Sequence, residues 1–386
     1  MNSKIKKDME YVNLHLHSEF SALDGFSRFE DVVDEEGKVL MQGITSRLKS
    51  IGHTKCALTD HATLSGIHPA YNSFKAAGIQ LLPGCEFYIV NDMKEQRGYQ
   101  NHMVVIAKNK TGWQNILKMN YIGFEQGSKM IWDRQVARID LRTLEKYSSD
   151  LIITSACLAG IPAHQLKIGE TREAEEHVKW MNKIFPGSYF LEIQCVDFYG
   201  MLDSSAKTRE VDRQWIENQA EDQKIVNDRM IDLAEKTKTP IVLTTDAHYV
   251  SRADRDSHLL MLAVQSKQSI DAPALGSGVK GGRLAFEATP LLSTDEIIKT
   301  FMETNSGYNG YPDYMVKEWI ANTNKAADQC EPASYLDFTG YKIPLFPVDQ
   351  ADDYNRFLRW KQTLDKDQID SILDKNAEFL KSRIIK

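Results

Sequence analysis

The chain has 386 residues, 42% hydrophobic and 26% charged, which sets it apart from low-complexity chains and leaves room for one or two domains. Its net charge of −7 argues against duplex DNA binding through a global positive field, so any nucleic acid must be held locally. The five cysteines, Cys56, Cys85, Cys157, Cys195 and Cys330, form no CxxC pair, and no apolar leader or membrane-length apolar run is present, so the expectation is reduced thiols, a cytoplasmic location and no membrane contact.

Through the first two thirds, short apolar runs alternate with amphipathic segments, the rhythm of an α/β fold. Strands are expected at 11–16, 56–59, 80–82, 87–90, 103–107, 151–154, 189–193 and 241–245. Helices are expected between them, including 173–184 and a long one over 211–236 with apolar residues at mixed three- and four-residue steps. The glycines of "GSGVKGGR" (276–283) predict a boundary, dividing the chain into a domain over 1–275 and a mostly helical extension over 283–386. In that extension "STDEIIKTF" is a capped helix start, and residues 368–385 carry an apolar stripe suited to packing on their own domain or to docking on another chain.

All ten histidines precede residue 259, and several stand beside expected strands. In "LHLHSEFSALDG" a regular strand puts His15 and His17 on one face and Leu14 and Leu16 on the other, with Asp24 in a following loop. "IVLTTDAHYV" runs a strand into Asp246 and His248; "CALTDH" leads into Asp60 and His61; "LIITSAC" leads to Cys157. If the strands are parallel around a barrel, their C-termini open onto one mouth, where such residues converge. Glu86 and His102 fit less neatly, because each stands at the start of its apolar run; a bulge, or strands that begin at the mouth, brings them in. Ionised acids gathered in a closed mouth without cations incur a large desolvation and repulsion cost, which divalent metals relieve. Imidazole and thiolate donors suit Zn, Mn or Fe better than Mg or Ca.

These stretches, with "GIQLLPGCEFYIV", "NHMVVIAKNKTGWQNILKMN", "SYFLEIQ" and the later "LAFEATPLLSTDEI" and "YKIPLFP", resemble the PHP (polymerase and histidinol phosphatase) domain at the N-terminus of bacterial DNA polymerase III alpha subunits. The resemblance spans nearly all of residues 10–350 in order. It implies a distorted seven-stranded β/α barrel whose mouth holds up to three divalent metal ions (Zn, Mn or Fe). Their ligands fall on His15, His17, Asp24, His61, Glu86, His102, Cys157, Asp246 and His248. It departs at "TDHA", where "TDHG" is common, and in a lengthened segment around 35–53. The chain ends before the Asp-x-Asp strand of a polymerase palm, and Asp365 and Asp367 lie in a helix-like stretch, so polymerase activity is not expected.

The implied activity is metal-dependent phosphodiester hydrolysis, a 3′→5′ exonuclease acting on DNA 3′ ends, single-stranded by preference, with Asp24, Asp246 and His248 in catalytic roles. The alternative is a non-catalytic N-terminal module of a split alpha subunit, docked on a separate polymerase chain or replisome subunit. Asp60, Ser18 and Glu19 are candidates to orient an imidazole. Arg97, Lys108 and Arg283 are candidate phosphate contacts. Trp113, Tyr121 and Phe124 are expected in the core, His53 and His68 in core or surface, His164 in a turn, and His258 packed beneath the mouth.

Overall fold

The computed structural model describes residues 10–95, 100–131, 134–194, 210–269, 274–275, 283–284, 289–302 and 310–336. The chain divides into two compact units, Met1–Asp337 and Phe338–Lys386, and the described residues lie in the first. Arg97, Cys195 and the stripe at 368–385 lie outside the described residues, as does most of the glycine-rich segment 276–283.

A curled, partly closed sheet forms the centre. Its strands are β1 (Lys55–Leu58), β2 (Gln80–Val90), β3 (Asn101–Ala107), β4 (Arg138–Asp140), β5 (Leu151–Thr154), β6 (Tyr189–Gln194) and β7 (Ile241–Thr244). The order is β7-β6-β5-β3-β2-β1, with β4 also paired to β2. All neighbours are parallel except β3, which runs antiparallel to both β2 and β5. The reversed β3 is the case of a strand that begins at the mouth rather than ending there.

The opening segment lies between the two edges of the sheet. Asn13 bridges Cys56 on one side, and Leu16 bridges Ala247 on the other, in the short β8 (Ala247–Tyr249). It is not the regular strand expected over 11–16, because side chains take its amides: Val12 donates to Thr323 Oγ1, His15 to Asn13 Oδ1 and Leu16 to Thr59 Oγ1. Strict alternation is therefore lost. Val12 and Leu14 pack inside the barrel, Leu16 packs in a separate cluster with Ile44, Leu48 and Phe74, and both histidines still reach the mouth.

Inside the barrel several strands repeat one device. An apolar residue sits low and a polar one follows on the same face, as in Ile152 and Thr154, Phe190 and Glu192, Val242 and Thr244. The reversed β3 carries the same order backwards, from His102 at its start to Val104 and Ile106. The outer face, with Phe87, Val105, Ile153, Leu191 and Leu243, packs under helices that include α3 (Lys110–Gln126), α6 (Thr171–Ile184) and α7 (Glu210–Thr237), numbered after α1 (Ile44–Ser50), α2 (Ile67–Ala77), α4 (Leu141–Lys146) and α5 (Ile161–Lys167) in chain order.

Farther on, α8 (Arg255–Gln265), α9 (Thr294–Met302) and α10 (Asp313–Ala327) make the later chain more helical. Although expected in a separate extension, α9 and α10 share the first unit with the barrel. Ala326, Ala327 and Cys330 join the barrel's interior cluster, and Asn322 Nδ2 donates to the Ile241 carbonyl at 2.8 Å, so this helix closes the end opposite the mouth. On α3 the buried residues are Gly112, Asn115, Ile116, Met119 and Gly123. That face leaves Tyr121 63% and Phe124 37% exposed, against the expectation of core packing, while Trp113 is partly buried.

Candidate metal centre

Loops at the barrel mouth carry most of the nine residues, and the chain is drawn tight to bring them in. Asp24 arrives through a compact turn in which the Asp24 and Gly25 amides both donate to the Ser21 carbonyl. A side chain at position 25 would meet the Ser18 carbonyl oxygen at 2.1 Å, so the glycine is required. Four non-glycine residues with left-handed backbone cluster here: Leu23 (φ 64°), Ala62 (φ 50°), Ala156 (φ 58°) and Asp246 itself (φ 48°). Each is, or adjoins, one of the nine, the distribution of strain expected at a functional site.

The reversed β3 explains the two residues that fitted the sequence pattern least. Its first residues lie at the mouth, which places His102 there. The expected strands at 80–82 and 87–90 are one strand, β2, that continues through Pro83 and Gly84. Glu86 therefore sits mid-strand, beside His61 through an isolated bridge.

The nine side chains form one continuous network. His15 Nε2 lies 3.1 Å from His17 Nε2, 3.3 Å from Glu86 Oε1 and 3.2 Å from Asp246 Oδ1. His17 Nε2 lies 3.4 Å from Glu86 Oε2 and 3.2 Å from Asp246 Oδ1. His61 joins Asp24 Oδ2 at 3.0 Å to Glu86 Oε2 at 2.6 Å. His102 Nδ1 is 3.1 Å from Glu86 Oε1 and 3.4 Å from Cys157 Sγ. His248 lies 3.5 Å from Asp246 Oδ1 and 3.9 Å from Asp24 Oδ1, and its ring stacks on that of His17. Three sets can hold a metal ion by proximity of their donor atoms: His17, His61 and His248; His15, His17 and Glu86; His61, Glu86 and His102.

Hydrogen bonding behind the rings fixes which nitrogen bears the lone pair. His15 Nδ1 faces Glu192 Oε1 at 2.7 Å; an ionised carboxylate only accepts, so Nδ1 keeps its proton and Nε2 is the nitrogen whose lone pair a cation would take when it displaces the second proton. Ser21 Oγ donates to Asp60 Oδ1 at 2.7 Å and accepts from His17 Nδ1 at 3.0 Å, with the same result for His17. Both Nε2 atoms lie within 3.4 Å of carboxylate oxygens of Glu86 and Asp246. Among the described residues, Glu86 Oε2, Asp246 Oδ1 and His61 Nδ1 are buried without a properly directed hydrogen bond, although oxygen or nitrogen atoms lie within 3.5 Å of each. Imidazole nitrogens and carboxylate oxygens crowd together with poorly directed contacts, and this donor set fits divalent cations.

Electrostatics point the same way. Burial works to raise Asp24, Glu86 and Asp246, but the surrounding imidazoles outweigh it and hold all three below the usual carboxylate range. Burial lowers His15 and His61, yet acidic neighbours (Asp246, Glu192 and Glu86 for His15; Tyr88, Glu86 and Asp24 for His61) bring both well above the ordinary value. His17 is lowered to about 3 by burial, then by His61 and His248. Burial, with Glu86 and Asp246, pushes the Cys157 thiol up. The mouth is a cluster of ionised acids held so by protonated imidazoles, and a divalent cation would supply the same positive charge in exchange for those protons.

Of the other singled-out residues, Asp60 accepts from Ser18 N, Ser18 Oγ and Ser21 Oγ, while Glu19 is exposed and pairs with Arg28 at 3.6 Å. His258 Nε2 meets the Asp24 carbonyl oxygen at 2.9 Å. His164 lies in α5 rather than in a turn, His68 is exposed and His53 is buried. Lys108 follows the far end of β3 from the mouth and donates to Ser188 Oγ. The sequence reading passed over Glu192, Ser21 and Tyr88, whose ring lies 5.0 Å from His102 and 5.8 Å from His61. A signal existed for Glu192: an acidic residue inside the apolar run "YFLEIQ" has to be buried and held.

Comparison with known proteins agrees with this geometry. Residues 13–195 match the PHP domain family. The DNA polymerase III subunit alpha of Aquifex aeolicus is 29% identical over 279 residues, covering 69% of this chain and 21% of that protein. The same subunit of Borreliella burgdorferi is 27% identical over 345 residues, covering 88% and 25%, and that of Chlamydia pneumoniae 29% over 367 residues, covering 90% and 26%. The chain thus spans about a fifth to a quarter of the length of these relatives. It carries a PHP-domain region homologous to the N-terminal portion of bacterial DNA polymerase III alpha subunits.

Proposed function

We propose that this chain is a metal-dependent phosphodiesterase that removes nucleotides from DNA 3′ ends, single-stranded by preference. The observation that carries the reading is the convergence of the His15 and His17 Nε2 lone pairs with Glu86 and Asp246 on one buried point. His15, His17, Asp24, His61, Glu86, His102, Cys157, Asp246 and His248 hold up to three Zn, Mn or Fe ions. Such ions supply Lewis acidity toward phosphoryl oxygens and lower the pKa of water.

The chain's own residues supply orientation and proton transfer. Asp24 is the most open of the three acids, its side chain 16% exposed against 1% for Glu86 and 5% for Asp246. It therefore meets incoming water and substrate first and, kept ionised by the imidazoles around it, orients that water by accepting its hydrogen bond, with His248 behind it to carry the proton on. Asp246 joins His15, His17 and His248 and keeps their relative placement. DNA as substrate rests on the relatives' shared name, since the residues themselves support only phosphoester chemistry. Among the described residues no helix is long and apolar enough to cross a membrane. The free thiols Cys56, Cys85, Cys157 and Cys330 suit a reducing, cytoplasmic setting.

The test incubates purified protein with 3′-labelled single-stranded DNA and Mn²⁺ or Zn²⁺, beside EDTA, Asp24→Asn and Asp246→Ala. Metal-dependent release that falls by about 10²-fold or more in Asp24→Asn is expected. Protein that retains metal yet releases no nucleotide under any condition overturns the nuclease and favours a non-catalytic module that docks on a polymerase chain.

A further inference from the structure

Glu192 lies at the centre of the barrel, on β6, with a fully buried side chain. Its carboxylate is gripped from both neighbouring strands: Thr154 Oγ1 on β5 donates to Oε2 and Thr244 Oγ1 on β7 donates to Oε1. Gln194 Nε2 adds a contact to Oε1 at 3.3 Å, and the Glu192 amide donates to Ser155 Oγ at 2.8 Å. Three strands thus fix the position of one carboxylate. Against it, at 2.7 Å, stands His15 Nδ1, a ring also buried with no solvent exposure. Burying a carboxylate among hydroxyls and amides is costly, and fold stability alone is better served by an apolar residue here.

We propose that Glu192 is the positioning residue of the metal centre, holding His15 in the Nδ1–H tautomer so that its Nε2 lone pair faces Glu86 and Asp246. This rests on the metal-dependent reading above and deepens it. Glu192 lies on the far side of the imidazole from Glu86 and Asp246, so it acts through the ring. A carboxylate behind a ligating histidine raises the ring's donor strength and removes the entropy of a rotating side chain, effects that run to 10- to 100-fold in metal affinity. Thr154 and Thr244 hold the carboxylate so that it cannot swing toward the cations and become a ligand itself.

The experiment compares wild type, Glu192→Gln, His15→Ala and the double variant, using Zn²⁺ and Mn²⁺ titrated against a chromogenic chelator, bound metal per chain, and circular dichroism as a check on folding. Imidazole ¹⁵N NMR of the metal-free protein, followed with rising pH until the His15 ring is neutral, reports its tautomer directly. Glu192→Gln keeps the size and a hydrogen-bond acceptor for Nδ1 but not the charge. It is expected to stay folded, weaken one metal position by 10- to 100-fold and shift the His15 tautomer balance, with little further loss in the double variant over His15→Ala. A Glu192→Gln protein that binds the same number of ions with unchanged affinity overturns the proposal, even if its thermal midpoint falls. Wild-type protein that binds neither metal overturns the metal-dependent reading and this inference together, a result distinct from the first.

Discussion

Asp60 acts on His17 through a single hydroxyl: Ser21 Oγ lies 2.7 Å from Asp60 Oδ1 and 3.0 Å from His17 Nδ1. Sequence spacing suggested that Asp60 orients an imidazole, and the structure inserts a relay that no spacing rule reveals. Ser21→Ala removes the acceptor for Nδ1 and frees the ring to exchange tautomers, while Asp60 keeps both of its bonds from Ser18. Zn²⁺ affinity is expected to fall about tenfold with the fold intact. Unchanged affinity in a chelator competition would remove Ser21 from the centre.

Arg138 is a buried cation whose guanidinium donates to three backbone carbonyls: Gly127 at 2.7 Å, Glu95 at 2.9 Å and Met93 at 3.2 Å. It ties the end of α3 to the segment after β2. Arg138→Met fills the volume but leaves the three oxygens without their charged donor, so urea unfolding should register a loss of about 3 kcal/mol or more. A loss under about 1 kcal/mol would mean that water replaces the guanidinium without penalty.

His53 is 3% exposed, and among the described residues neither ring nitrogen has a hydrogen-bond partner. Burial, then the nearby Arg47, lowers its pKa to about 4. Above the ordinary value of 6.5 the ring is neutral whether the chain is folded or not. Below it the unfolded chain binds a proton that the folded chain refuses, so stability is lost as pH falls from 6.5 toward 4, by roughly 3 kcal/mol in total. His53→Phe should abolish this component, and its stability relative to wild type should climb by that amount between pH 7 and pH 4. Parallel stability curves across that range would show that His53 protonates freely in the fold.

Lys238 adopts φ 55° directly after α7, and the next amide, Thr239 N, donates back to the Ala234 carbonyl at 3.0 Å. This is the helix-ending geometry that favours glycine. Lys238→Gly should stabilise the protein by up to about 1 kcal/mol in urea unfolding, and destabilisation would point to contacts of the lysine that outweigh its strained backbone. Ala62 has the same sign of φ, but its buried methyl packs with Val136 and Ala137, which offsets the gain from a glycine there.

Much of the fold was legible because its strands are buried on both faces and read as apolar runs: 151–154 matched in full, and 189–193 and 241–245 to within one residue. The short β4 was missed because Arg138 and Asp140 make "RID" look polar, although Arg138 is buried. Pro83 and Gly84 made one strand look like two. β2 tolerates both because it changes partner there, from β1 to β3, and a side chain at 84 would meet the Val105 carbonyl oxygen at 2.6 Å. Most residues of the candidate centre stood out as metal-ligand types beside apolar runs, whereas Glu86, in the middle of β2, and His102, at the start of the reversed β3, fitted that pattern least. Glu192 and Ser21 did not stand out, since what selects them is distance across the fold, 177 residues from His15 in one case, rather than any local pattern.

The layered barrel interior has a consequence for reach. Beneath the polar residues at the mouth lies a floor of Val12, Leu14, Leu82, Val104, Ile152, Phe190 and Val242, all almost wholly buried, with α10 below it. That floor is an electrical insulator. Charge placed above it finds little to polarise underneath, so its field is screened only weakly from below and is directed out through the opening. With cations bound among the acids at the mouth, a chain of net charge −7 would in this way present a locally attractive potential to an anionic group at the opening.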